Sequence, residues 1–150
     1  MEKRNPREWL CLKRTVRFGE TAAAGVVHFI ELFKWCHETW EASLEKYGVV
    51  LQEIFPTNKI NKSQLDVALP VVHCEANYFQ PLYVGDTINI ELNPEKISDS
   101  SFVLRFKFKK NGEKIGMANI EHVSINPITR DICALSKQIN LWLHESSLNF

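Results

Sequence analysis

Apolar side chains recur along this chain with two periods, and the change from one to the other marks where a helix gives way to strands. In VVHFIELFKWCHETWEASLEKYG, residues Phe29, Phe33, Cys36, Trp40, Leu44 and Tyr47 recur at helical spacing, and Leu32 and Trp35 widen the stripe. Gly48 is placed to end that helix. About 20 residues make a helix roughly 30 Å long, and its broad apolar face needs a cover of similar length.

Period-two segments supply the cover. CLKRTVRF reads as a first strand before the helix. Leu69 to Phe79 reads as a second, with Val72, Cys74, Ala76 and Tyr78 on one face and His73, Glu75 and Asn77 on the other. After a turn at Gln80 and Pro81, GDTINIEL puts Ile88, Ile90 and Leu92 in one phase. In SFVLRFKFKKNGEKIGMANIEHVSI, Phe102, Leu104, Phe106 and Phe108 alternate with Arg105, Lys107 and Lys109, and Asn111-Gly112 predicts a type I′ hairpin turn. One face of that hairpin is core and the other wet. The order is strand, long helix, then a meander of four or more antiparallel strands, closed by a helix near Leu135 to His144. This is an α+β chain with the helix on one face of the sheet.

Composition narrows the function. The 150 residues are 45% hydrophobic and 11% aromatic, which suits a single domain over residues 1–150 with a sizeable core. The 18 basic and 18 acidic side chains cancel and are interspersed, so no broad positive field is offered to nucleic acid or an anionic membrane. The first residues lack the apolar segment of a signal peptide, and no run reaches the ~20 residues that span a bilayer, so a soluble cytoplasmic protein is expected. Cys11, Cys36, Cys74 and Cys133 lack CxxC spacing and sit in apolar stretches. They read as reduced core thiols, with neither a metal site nor a disulfide framework.

The segments RFGETAAAGVVHF, WCHETWEASL and ALPVVHCEANYFQPLYVGD, within a span from about Leu12 to Arg130, resemble the hotdog-fold acyl-CoA thioesterases of the 4-hydroxybenzoyl-CoA type. Among these the chain is most similar to the 1,4-dihydroxy-2-naphthoyl-CoA hydrolases that cyanobacteria use in making phylloquinone. The resemblance implies a hotdog fold, with a long helix wrapped by a curved antiparallel sheet. It also implies a homodimer with active sites between subunits, dimers that often pair into tetramers, and no cofactor beyond the coenzyme A of the substrate.

Thioester hydrolysis needs donors aimed at the carbonyl oxygen and a group that attacks the carbonyl or activates water. By position, the resemblance gives the oxyanion role to the backbone amide of Phe29, among the unpaired amides that open the helix. Gly25 lets substrate approach the chain closely. The family loop reads D-T-D-A-A-G-V-V and its second Asp is the catalytic carboxylate; in this register Ala22 holds that position. Glu20 faces the same side about 6.5 Å away along an extended segment, as an alternative base or as a cap of the loop. His28, read as lying in the first helical turn, is a second candidate, since imidazole exchanges protons near neutral pH. His73 matches a histidine of the naphthoyl-CoA members, where it lines the acyl pocket or the partner's edge.

Coenzyme A carries several phosphate charges, and Lys96 and Arg130 are the candidate cations at the tunnel mouth. Asp99 and Ser100 stand where family members often carry basic residues. Two readings follow: an acyl-CoA thioesterase with water activated by a group other than the usual Asp, or a dimeric binding protein that has kept the pocket and lost hydrolysis.

Overall fold

The computed structural model describes residues 4–58 and 65–147. The elements are α1 (Arg7–Leu10), β1 (Cys11–Thr15), α2 (Glu31–Tyr47), β2 (Val71–Tyr78), β3 (Thr87–Ser98), β4 (Ser101–Lys110), β5 (Glu113–Val123) and α3 (Lys137–Ser146). The strands form one antiparallel sheet in the order β1-β3-β4-β5-β2. The α+β class read from the pattern is observed, and β3, β4 and β5 are the expected meander. β2 does not join it. It pairs with β5 at the far edge, so the segment from Phe79 to Asp86 must cross the sheet to reach β3 beside β1.

The hairpin follows its sequence. Asn111 and Gly112 have φ of 52° and 78°, the two positive values a type I′ turn requires. Phe102, Leu104, Phe106 and Phe108 are buried. The opposite face carries polar ladders such as Arg105–Glu95 at 3.1 Å and Lys109–Glu91 at 3.0 Å.

α2 packs Leu32, Trp35, Cys36, Trp40 and Leu44 into the core, and Gly48 ends it by donating to the carbonyls of Leu44 and Glu45. Its start differs from expectation. The helix begins at Glu31 rather than near Val26, because Val26 and Val27 are taken by bridges to Tyr83 and Thr21. β-branched residues accept that extended state readily. Phe29 and His28 therefore precede the helix. α3 begins at Lys137, two residues later than the pattern suggested, where the Ser136 hydroxyl accepts from the Ile139 amide at 3.3 Å. The buried indoles of Trp9 and Trp142 donate to Ser146 and Ser43 at 2.8 and 3.1 Å. The cysteines are free thiols, but only Cys36 is buried; Cys11 and Cys74 lie exposed on the two edge strands and Cys133 is half-buried. The core expectation fails for Cys11 and Cys74 because an edge strand lacks a neighbour on one side, and for Cys133 because it lies in the surface segment between β5 and α3.

Among the described residues His122 is the buried histidine of the core face. Its ring stacks on Phe102 at 5.3 Å and lies tilted against Trp40 at 4.7 Å, the two aromatics themselves 5.9 Å apart, and Nδ1 lies 2.9 Å from the Leu69 carbonyl. Burial pushes its pKa down from 6.5 to about 4, with the Leu69 contact opposing and nearby His37 adding to the shift. The unfolded chain therefore binds this proton first. As pH falls from about 6.5 towards about 4 the folded state loses stability, on the order of 2–3 kcal/mol in total. Urea unfolding across that range should show the loss in the wild type and a shallower pH dependence in His122→Phe.

Candidate functional site

The loop between β1 and α2 is built from three short arms. Val16 is buried and leaves the sheet by exchanging backbone bonds with Asp86 and Gly85, at 2.8 and 3.0 Å. A 3-10 turn, Phe18–Glu20, follows, in which Glu20 Oε1 accepts from the Arg17 amide at 2.8 Å and Thr21 donates to the Phe18 carbonyl. The chain then reverses over Ala22 to Val26, where the Ala22 amide donates to Val26 at 2.7 Å and the Gly25 amide to Ala22 at 2.9 Å. Gly25 has φ +85°, the left-handed residue such a reversal requires.

The returning arm is fixed on two sides. Val27 donates to Leu82 of the crossing segment at 2.8 Å, and His28 donates to the Glu20 carbonyl at 3.0 Å. The crossing segment is itself held by Asp86, whose carboxylate accepts from the Tyr83 amide at 2.9 Å and pairs with Lys110 at 3.0 Å. These contacts, the Tyr83 amide first, hold the Asp86 pKa below its ordinary value. The loop and the crossing segment thus form one end of the molecule, ahead of the N-terminus of α2.

At the tip of the returning arm the Phe29 carbonyl accepts from the Tyr78 hydroxyl of β2, and partial burial raises the pKa of that phenol. The Phe29 amide meets no acceptor among the described residues. The His28 ring lies 4.5 Å from the Phe29 ring, and its Nδ1 takes only a long contact, 3.4 Å, from the Ile30 amide. The loop, the end of β2 and the crossing segment carry exposed apolar side chains: Phe18, Phe29, Tyr78, Phe79, Tyr83 and Val84.

Glu20, Ala22, Gly25, His28 and Phe29 thus come together in one loop, with the Ala22 methyl exposed. Glu20 is not free. Its Oε2 accepts from Arg14 Nη2 at 2.5 Å and from the Trp35 indole at 2.7 Å, while Oε1 holds the Arg17 amide. Arg14 also reaches Glu38 at 2.7 Å and lies 4.6 Å over the Trp35 ring. Arg14 is the residue that pattern reading passes over. It shares its phase with Leu12 and Val16, so a charge on the core face of a strand is the signal of a buried partner.

His73, Lys96 and Arg130 stay apart from the loop within one chain. His73 is five residues before Tyr78 on β2, roughly 17 Å away, with Nε2 3.7 Å from Glu75. Lys96 is nine residues beyond Thr87 on β3, roughly 30 Å along the strand, where Nζ lies 3.8 Å from Asp99. It faces an open groove of about 680 Å³ shared with Lys137 and His144 of α3. Arg130, exposed and at φ 67°, sits in the turn after β5, at the same distant end of the sheet.

The thioesterase-like superfamily matches residues 16–143. A protein of Prochlorococcus marinus strain NATL1A named 1,4-dihydroxy-2-naphthoyl-CoA hydrolase is 85% identical over 150 residues, covering 100% of both chains. A solved structure from P. marinus strain MIT 9313 superposes with a TM-score of 0.92 at 45% identity, over 95% of this chain and 99% of the other. The 1,4-dihydroxy-2-naphthoyl-CoA thioesterase of Synechocystis superposes with a TM-score of 0.81 at 26% identity, over 90% and 95%.

The Gly25 geometry gives a direct check on the loop. A Cβ at Gly25 meets no atom within 4 Å, so only the backbone conformation opposes a side chain there. Gly25→Ala should cost about 1 kcal/mol in denaturant unfolding, whereas Gly19→Ala, equally uncrowded and without a positive φ, should be near neutral.

Proposed function

This chain belongs to the thioesterase-like superfamily, and we propose that it hydrolyses an acyl-CoA thioester, with 1,4-dihydroxy-2-naphthoyl-CoA as substrate, releasing the free acid and coenzyme A. The likeness to the cyanobacterial hydrolases supports the acyl group, and with it the step in phylloquinone synthesis. The observation that carries the chemistry is the unpartnered Phe29 amide beside an exposed imidazole at the mouth of an apolar surface.

The thioester carbonyl oxygen lies against the Phe29 N–H. A water displaces the long Ile30 contact at His28 Nδ1, gives its proton to that nitrogen and attacks the carbonyl carbon. The oxygen gains negative charge as the tetrahedral intermediate forms, and the fixed amide stabilises that charge without reorganising. Collapse breaks the C–S bond, the thiolate of coenzyme A departs, and the imidazolium returns the proton to sulfur. Atoms and charge balance with no further reactant. The committed contacts of Glu20 favour His28 over Glu20 as the base.

The site is completed by a second copy of the chain. β2 is an edge strand among the described residues, and Val72 and Tyr78, on the face that alternation turns to the core, are exposed. Such an edge invites pairing with its equal. Antiparallel pairing centred on Cys74 and Glu75 sets His73 opposite Ala76 of the partner subunit, two residues, or about 7 Å, from the partner's Tyr78. The same two-fold turns the end of the sheet carrying Lys96 and Arg130 towards the partner's loop, which supports their place near the nucleotide of coenzyme A.

Ala22 favours a second reading, a dimer that binds acyl-CoA without cleaving it, because a methyl group can neither attack nor accept a proton. Turnover by purified protein on naphthoyl, benzoyl and aliphatic CoA esters, with binding measured in parallel, separates the two. Hydrolysis fastest on the naphthoyl ester is expected; binding without turnover on any ester selects the second reading. His28→Gln should lower kcat by about 10²-fold or more with little change in KM. Ala22→Asp, which places a carboxylate beside the attacking water, should raise hydrolysis by about 10²–10⁴-fold. Sedimentation at micromolar protein should give at least twice the chain mass, and a concentration-independent monomer would contradict the shared site.

A further inference from the structure

We infer that Glu20 is a positioning residue, whose carboxylate, clamped by Arg14, Trp35 and the Arg17 amide, fixes the direction of the Phe29 amide. This rests on the proposed thioester chemistry and deepens it. An ionised carboxylate is acceptor-only, and here both oxygens are occupied: Oε1 by the Arg17 amide at 2.8 Å, Oε2 by Arg14 at 2.5 Å and the Trp35 indole at 2.7 Å. The Arg14 and Glu20 side chains are each only 15% exposed, so the pair is turned inwards, away from an incoming ester. Taking a proton from water would cost this residue several charge-assisted bonds at once.

The four partners of Glu20 belong to four different pieces of the chain. Arg14 is on β1, Trp35 lies one turn into α2, Arg17 opens the 3-10 turn, and the Glu20 carbonyl receives His28 of the returning arm at 3.0 Å. Residue 28 immediately precedes the amide that meets the oxyanion. The backbone bridges of the returning arm, Thr21–Val27 and Val26–Tyr83, and the Val27 bond to Leu82 stop before it, while the Tyr78 hydroxyl holds the Phe29 carbonyl and the Glu31 amide donates to the His28 carbonyl at 3.0 Å, both on the helix side of the amide. Glu20 is therefore the side-chain tie that joins β1, the 3-10 turn and α2 to the residue before the amide. Its length suits the task, since an Asp would pull one methylene back from either Arg17 or Trp35.

The two roles, clamp and base, separate when the carboxylate is kept and its donors are removed. Glu20→Gln, Trp35→Phe and the double variant should be compared with wild type by amide hydrogen exchange, steady-state kinetics and pH profile. Each single change should speed exchange over residues 22–29 by about tenfold relative to β4 and β5, which serve as the internal reference for lost core stability. Each should lower kcat by about tenfold with KM changed less than about threefold. The acid limb of the pH profile should stay in place, and the double variant should be no slower than the slower single.

Loss of turnover in Glu20→Gln with unchanged loop exchange would overturn the inference, as would an acid limb that moves upwards in Trp35→Phe, because both mark Glu20 as the proton acceptor. A loosened loop with full turnover would overturn it too. Exchange needs no substrate, so the two levels fail separately. A wild type that cleaves no ester defeats the functional reading, and the clamp is then judged on exchange alone, kept if the loop loosens and lost if it does not.

Discussion

A single helix is about 10 Å across, whereas five hydrogen-bonded strands at ~4.8 Å spacing set their outer axes about 19 Å apart. α2 cannot cover that width, even with the sheet curled around it. It packs against β1, β3 and β5, flanked by α1 and α3, and leaves most of β2 exposed, with Ala76 alone of that strand half-buried against the core. Most of what is distinctive here follows from that shortfall. In the proposed dimer a second subunit covers the exposed edge of β2, and the same strand delivers Tyr78 to the loop that carries the proposed oxyanion amide.

The crossing of the sheet is the second consequence. Because β2 lies at the far edge, the chain must traverse the end of the sheet between Phe79 and Asp86 before β3 can start beside β1. Leu82 is buried by that traverse, and its carbonyl gives the returning arm of the loop a rigid neighbour at Val27. The loop is thus braced by backbone on one side and by the Glu20 carboxylate on the other. An amide held in this way is worth more to a developing oxyanion than one that must reorient during the reaction.

Period and turn chemistry made the central helix, the 101–123 hairpin and the terminal helix legible, since each depends on residues close in sequence. Asn111-Gly112 carries its own turn, and Gly48 its own helix end. The position of β2 was not legible, because strand order depends on which edges meet in space and leaves no trace in alternation. The start of α2 misled for a related reason: Val26 and Val27 fit a helical stripe, yet Tyr83 and Thr21 hold them extended. At the site, the loop motif brought five of the candidate residues to one place. Arg14 and the polar role of Trp35 are not legible there, the first because a charge in a short alternating strand has no visible partner, the second because an apolar stripe shows the indole ring and not its N–H.

The central claim is spatial: the Phe29 amide receives the thioester oxygen at a site shared between two copies of the chain. A crystal structure with a non-hydrolysable naphthoyl-CoA analogue tests it most directly. The account predicts the acyl carbonyl oxygen at hydrogen-bond distance, about 2.7–3.1 Å, from the Phe29 nitrogen, with the aromatic group enclosed between this loop and β2 of the partner. An analogue bound wholly within one chain, or a carbonyl oxygen met by other donors while the Phe29 amide points elsewhere, would contradict it.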